Sequence, residues 1–404
     1  MTDTSPDRLH ALDAVRGFAL LLGVAFHATL SFLPGPQAWI VMDEQRSPAM
    51  AVVFFTLHMF RLTVFFLIAG FFGRMLLERR GLRAFVVDRA RRIAAPLAMF
   101  WPVVMGGFVA VLIWSTIDAY GALPKDPPKQ PPLTVSTFPL LHLWFLWVLL
   151  LCYAGMVFLR TLGRLVDRQG HLGRLADRLV AALVRWSVGP VVLAAPIALV
   201  FWLTPTWLPW IGIQTPDTGL IPNAMAATAY GLAFGLGWLI HRQEGLVLSL
   251  ARHWFTHLAS AVILTVIALA MLPKASIAAP MEVEWMRAAF AIVYALAIWS
   301  WAFGLVGAAV RFLSGHSPVR RYLADASYWI YIVHLPILMA LQVAIRDVPL
   351  AWEAKYALII AGTMAPALIT YELLVRHSFI GRLLNGRRIP WRAKPQALAQ
   401  EGIA

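Results

Sequence analysis

The chain carries ten apolar runs, each near the ~20 residues that a helix needs to cross a bilayer. They lie at about 12–33, 50–74, 93–115, 138–160, 187–206, 223–241, 254–272, 286–311, 327–345 and 354–376. In lipid a backbone must satisfy its own hydrogen bonds, and helices do so within the segment. The pattern therefore predicts an all-α, polytopic integral membrane protein of about ten transmembrane helices. Composition agrees: 60% of the 404 residues are hydrophobic and 13% are charged. Soluble chains hold about 45–50% apolar residues.

The net charge of +14 would point to nucleic acid only if the basic residues were not sorted by loop. One side of the expected topology holds 25 Lys and Arg: Arg8, seven in 74–92, six in 160–185, Arg242 and Arg252, three in 311–321 and six in 376–394. The other side holds seven: Arg46, Lys125, Lys129, Lys274, Arg287, Arg346 and Lys355. Because the cytoplasmic side carries the excess, both termini are expected there, and most of the charge is topology. Nothing else in the pattern argues for nucleic acid. Cys152, the single cysteine, gives neither a disulfide framework nor a thiol metal site. No HExxH or tight His/carboxylate spacing appears, so no metal is expected.

One membrane domain is expected over 1–404, with a core of about 10–390 and a cytoplasmic tail at 391–404. Asp13 and Arg16 interrupt the start of the first run and no small-residue cleavage site follows it, so the first helix reads as retained. The basic segment "LLERRGLRAFVVDRARRIAAP" reads as an interfacial helix before the third span. On the opposite side "YGALPKDPPKQPPLTV" reads as an extended proline-rich loop.

Ionisable groups inside spans are expensive and usually face inward with a function. Arg16 and His27 are eleven residues apart, which places them within about 20° of each other around the helix and about 16 Å apart along it. Arg16 can equally snorkel to the headgroups, and His27 can equally be a neutral imidazole satisfied by a backbone carbonyl. His58 and Arg61 share one face of the second span. Arg89 and Arg92, beside Arg79, Arg80, Arg83 and Arg91, suit a multiply phosphorylated cytoplasmic ligand such as a coenzyme A tail, or serve topology and anionic lipid. "PLLHLWFLWVLLL" places His142, Trp144 and Trp147 at the outer mouth, as an aromatic belt or as faces for sugar rings. "ASYWIYIVHLP" places Tyr331 and His334 inside the ninth span, and Pro336 allows local opening of that helix. Glu372 is expected to pair with an arginine of the bundle.

Taken in order, "LDAVRGFALLLGVAFH", "FRLTVFFLIAGFF", "VDRARRIAAP", "HLWFLWVL", "ADASYWIYIVHLP" and "YELLVR" resemble the motifs of the membrane acyltransferase-3 family, within its glucans biosynthesis protein C branch, from about residue 10 to 390. Where that family often has serine before the glycine of the second motif, this chain has Ala69. The resemblance implies no covalently bound cofactor, a cytoplasmic acyl-coenzyme A co-substrate (succinyl-coenzyme A for this branch), and transfer to hydroxyls of osmoregulated periplasmic glucans across a bacterial inner membrane. On that basis His27 is expected as general base or as the carrier of a covalent acyl group, with Arg16, Arg89 and Arg92 on the donor's phosphates or on its acyl carboxylate. Arg61, His334 and Tyr331 are further donor-side candidates, and His58, His142 and Trp144 are acceptor or orienting candidates. The alternatives are an acyltransferase for another extracytoplasmic glycan or lipid, and a secondary transporter or flippase, which would also carry intramembrane Arg and His.

Overall fold

The computed structural model describes residues 6–35, 39–126, 131–243, 245–273 and 277–386. The tail expected at 391–404, residues 127–130 of the proline-rich loop, Lys129 and Lys274 lie outside the described residues. All ten apolar runs fall on helices: α1 (Pro6–Thr29), α2 (Pro48–Arg89), α3 (Ala95–Tyr120), α4 (Trp144–Val166), α5 (His171–Arg185), α6 (Gly189–Trp202), α7 (Ala224–Ile240), α8 (Leu246–Arg252), α9 (Trp254–Met271), α10 (Glu284–Phe312), α11 (Pro318–Ile345), α12 (Trp352–Thr370) and α13 (Phe379–Asn385). Among the described residues, 8 helical stretches are long and apolar enough to cross a membrane, or 9 if α5 and α6, bent by 107°, count as one span. One of them, Pro48–Tyr120, holds both the 50–74 and the 93–115 runs. Gly81 breaks it, at φ 75° and ψ 170°, a conformation open to glycine and strained for other residues.

The basic segment expected as a separate interfacial helix is instead divided. Residues before Gly81 extend α2, and those after it run through a π-helical turn at Ala90–Ala94 into α3. The amphipathic α5, which buries Val180 and Val184, lies in a stretch that the sequence offered only as a basic loop.

Small residues set the helix packing, as expected where lipid supplies no hydrophobic drive between helices. A Cβ on Gly70 would lie 2.0 Å from the Phe234 carbonyl oxygen, and one on Gly237 would lie 1.8 Å from that of Leu67. Backbone therefore touches backbone between α2 and α7. Gly17 meets the backbone of Ala324 in the same way, joining α1 to α11.

α3 and α11 run in parallel. The Tyr328 hydroxyl donates to the Arg92 carbonyl at 2.7 Å near one end, Gly107 lies against Pro336 midway, and Arg346 pairs with Asp118 at 2.7 Å at the other end. The first contact has a covalent cause. Pro96 has no N–H to give to the π-helical turn before it, and the Tyr328 hydroxyl donates to a carbonyl of that turn.

Two cations counted in loops are buried. The ammonium of Lys355 lies 2.8 Å from Asp43 and 2.6 Å from the Arg346 carbonyl. Arg287 donates to the carbonyls of Trp202 and Met281 at 3.0 and 3.1 Å. The Trp202 carbonyl ends α6, where the helix dipole favours a cation.

Candidate active site

Two cavities lie next to each other inside the bundle. The first, of about 320 Å³, opens near the end of α11 that carries Tyr328 and is lined by Arg16, Arg89, Arg92 and Arg321, with Asp13, Asp325, Tyr153 and Asn385 among them. The second, of about 50 Å³, lies deeper and is lined by His27, His58, Arg61, His142, Tyr331 and His334, with Phe26, Trp144 and Thr215. Leu20 and Phe145 line both. α1 thus presents one face along the pair: Arg16 in the first, Leu20 at the junction and His27 in the second, in the order the eleven-residue spacing required.

The arginines of the first cavity are held by carboxylates. Arg16 lies 2.8 Å from Asp13, which Arg321 approaches at 3.6 Å, and the Arg16 guanidinium packs over Phe72. Arg89 pairs with Asp88 and donates to the Tyr153 hydroxyl at 3.1 Å. Arg92 lies 3.1 Å from Asp88. Four guanidinium groups against the two carboxylates of the lining leave the wall net positive, suited to phosphates.

In the second cavity the backbone fixes two of the imidazoles. Pro336 has no N–H for the carbonyl of Ile332, and the His142 ring takes that place, its Nε2 lying 3.1 Å from the oxygen. Since a carbonyl only accepts, Nε2 carries the proton and Nδ1 keeps its lone pair. Tyr331 returns the contact by donating its hydroxyl to the His142 carbonyl at 2.6 Å. His334 Nδ1 lies 2.7 Å from the Tyr331 carbonyl, so it carries the proton, and Nε2 is left as a buried acceptor with no partner among the described residues. The His334 ring centre is 5.3 Å from that of His27 and 5.1 Å from that of His142. His27 Nδ1 is also buried without a partner among the described residues. Two imidazoles with fixed tautomers and unpartnered lone pairs, set beside His27, can accept and relay protons.

On the far side Trp39 covers the cluster. Its ring centre is 6.1 Å from that of His27, and its indole N–H donates to Gln342 at 2.9 Å. The Gln342 amide donates in turn to the His27 carbonyl at 3.3 Å.

The structure brings together ten residues singled out from sequence, in two cavities. Arg61, His334 and Tyr331, read as donor-side groups, line the histidine cavity, and the Tyr331 hydroxyl is committed to the His142 carbonyl. His142 and Trp144 form no outer belt: they are 6% and 5% exposed, and Trp144 stacks on Tyr230. Glu372, expected to meet an arginine of the bundle, pairs instead with its near neighbour Arg376, four residues on, at 2.8 Å. Asp13, Asp88, Tyr153, Tyr328 and Phe26 were missed. Pro96 and Pro336 were the available signal, each marking a carbonyl freed in the turn before it.

The sequence profile of an acyltransferase domain, acyltransferase-3, matches residues 9–372. The chain belongs to the acyltransferase-3 family. Curated relatives include the glucans biosynthesis protein C of Salmonella paratyphi B and that of Salmonella enteritidis PT4, each 28% identical over 159 residues. Those residues are 37% of this chain and 38% of each relative, so the match spans well under half of their length. No solved structure matches. Membership accords with the motif order. Every motif that carried the resemblance contributes at least one residue to the two cavities or to the contacts that hold them, apart from the last, whose Tyr371 bonds the Asn385 amide at the rim.

Proposed function

We propose that this acyltransferase-3 protein is an O-acyltransferase of a bacterial inner membrane. It takes an acyl group, succinyl by the branch it resembles, from cytoplasmic acyl-coenzyme A and passes it to a hydroxyl of an osmoregulated periplasmic glucan. The observation that carries this reading is that an arginine-lined cavity lies next to a buried histidine cavity, with Leu20 and Phe145 lining both. A donor with a phosphate-bearing head and a slender thioester arm needs that sequence of environments. The name of the relatives supports a glucan acceptor.

In this mechanism Arg16, Arg89 and Arg92 hold the donor phosphates at the basic face, which is the cytoplasmic one by its Lys and Arg excess. The thioester reaches past Leu20 and Phe145. His27 removes the proton from the acceptor hydroxyl, whose oxygen attacks the thioester carbonyl carbon, and the C–S bond breaks as the tetrahedral intermediate collapses. The coenzyme A thiolate leaves and takes the proton back from the His27 imidazolium. His334, its Nε2 a fixed acceptor beside His27, orients that ring and shares its charge. His58 and Trp144 flank the acceptor in the same cavity.

The test is mass spectrometry of periplasmic glucans from a deletion strain complemented with wild type or with His27→Ala at equal protein level. Wild type is expected to restore an acyl mass increment and His27→Ala to lose it, with the rate down about 10²–10⁴-fold. Full substitution by the variant would remove His27 as base. Unchanged glucans in both strains would remove the glucan acceptor. A transporter would move solute without consuming thioester.

A further inference from the structure

Arg61 differs from every other arginine around the two cavities. Arg16, Arg89, Arg92 and Arg321 each have a carboxylate within ion-pair reach. Arg61 is 7% exposed, its Nε is buried without a partner, and no carboxylate pairs with it among the described residues. Its guanidinium carbon lies 4.4 Å from the centre of the Phe26 ring. That ring attracts a cation but supplies no net negative charge. A charge in the low-dielectric interior is tolerated when something compensates it, and here the protein does not.

The compensating anion has a place to sit. Arg61 lines the histidine cavity. The Phe26 ring centre is 5.0 Å from those of both His27 and His58, so the guanidinium is one aromatic ring away from the groups that handle protons. Gly23, on the face of α1 between Arg16 and His27, gives it room: a Cβ there would stand 3.1 Å from Arg61 Nη1.

We propose that Arg61 binds the distal carboxylate of the transferred acyl group, so that the enzyme selects a short dicarboxylic half-thioester over a neutral one of equal length. This rests on the acyl-transfer reading above and names the residue that sets its donor class. A planar guanidinium meets a carboxylate through two parallel N–H donors. A neutral acyl chain in the same place leaves the cation as unpaired as before. An oxyanion of the tetrahedral intermediate would neutralise Arg61 only for the moment of reaction, whereas a carboxylate carried on the donor does so for as long as the donor is bound.

The experiment compares succinyl-coenzyme A with butyryl-coenzyme A, which has the same four-carbon chain without the terminal carboxylate. It uses wild type and Arg61→Gln in lipid nanodiscs with unsubstituted periplasmic glucan supplied as acceptor, and thioester consumption is read as kcat/KM. Wild type is expected to prefer the succinyl donor by about 10²-fold or more, since a site built to bond a polar group rejects the analogue that lacks it. Arg61→Gln is expected to bring the ratio near one. If the variant turns over neither donor, the ratio of their equilibrium dissociation constants is read in its place. Equal use of the two donors by wild type overturns the proposal without any variant. So does a variant in which both donors fall together at an unchanged ratio, which is the signature of an oxyanion role. If wild type consumes neither thioester, the acyl-transfer reading itself has failed, and this proposal goes with it.

Discussion

At the scale of single residues, the site depends on carbonyls that proline releases. Pro336 leaves the Ile332 carbonyl without its helical N–H, and the His142 imidazole fills the gap at 3.1 Å. Pro336→Ala restores an N–H to that position and sets the backbone in competition with His142. A proline costs a helix interior about 3 kcal/mol, so the variant is expected to melt no lower than wild type. Its transfer rate should nonetheless fall about tenfold or more, because a misplaced group costs rate out of proportion to its distance from the chemistry. Thermal unfolding and thioester turnover measured on one preparation check this, and a variant that keeps full activity would show that the His142 anchor is not needed. The positions of Arg16 and His27 were legible, since eleven residues on a helix allow one geometry. The unpaired state of Arg61 was not, because sequence shows a charge but not which neighbours neutralise it. Asp13 and Asp88 end up beside arginines of the first cavity, and among the described residues no carboxylate lines the second.

At the scale of helices, hydropathy located all ten runs, because the bilayer's thickness fixes the length of an apolar segment. It could not place the reversal at Gly81 or the brevity of α6, whose 14 residues rise about 21 Å against a hydrocarbon core of ~30 Å. Those depend on backbone conformation and on what the helix packs against. Helix contacts were legible only as scattered glycines, and the structure shows which of them matter. Gly70→Val or Gly237→Val pushes a branched side chain into the facing backbone of α2 or α7. Overpacking of this kind costs typically 1–3 kcal/mol and more where backbone cannot move. Both variants are expected to lose the monodisperse peak in fluorescence-detected size exclusion. Gly106→Ala and Gly155→Ala, where a Cβ meets nothing within 4 Å, should keep it. Loss in the controls as well would mean that glycine matters here for some reason other than close approach.

At the scale of the whole molecule, the two cavities mean something only if the bundle is oriented as its charges require. The parallel course of α1, α3 and α11 brings Arg16, Arg92 and Arg321 to one end of the bundle. The other end is closed by Trp39 and by the buried Asp43–Lys355 pair. A cytoplasmic coenzyme A donor can use the arginine cavity only from the first end, so sidedness decides the donor assignment independently of any variant in the site. Cys152, the single cysteine, can be replaced by serine to give a background for accessibility labelling. Leu133→Cys then reports the proline-rich side, where Leu133 is 67% exposed. Arg168→Cys reports the exposed turn between α4 and α5. A membrane-impermeant maleimide added to spheroplasts is expected to label position 133 at once and position 168 only after permeabilisation. The reverse pattern would turn the four arginines toward the periplasm, where acyl-coenzyme A is not supplied, and the histidine cavity would then need a different donor reached from the other side.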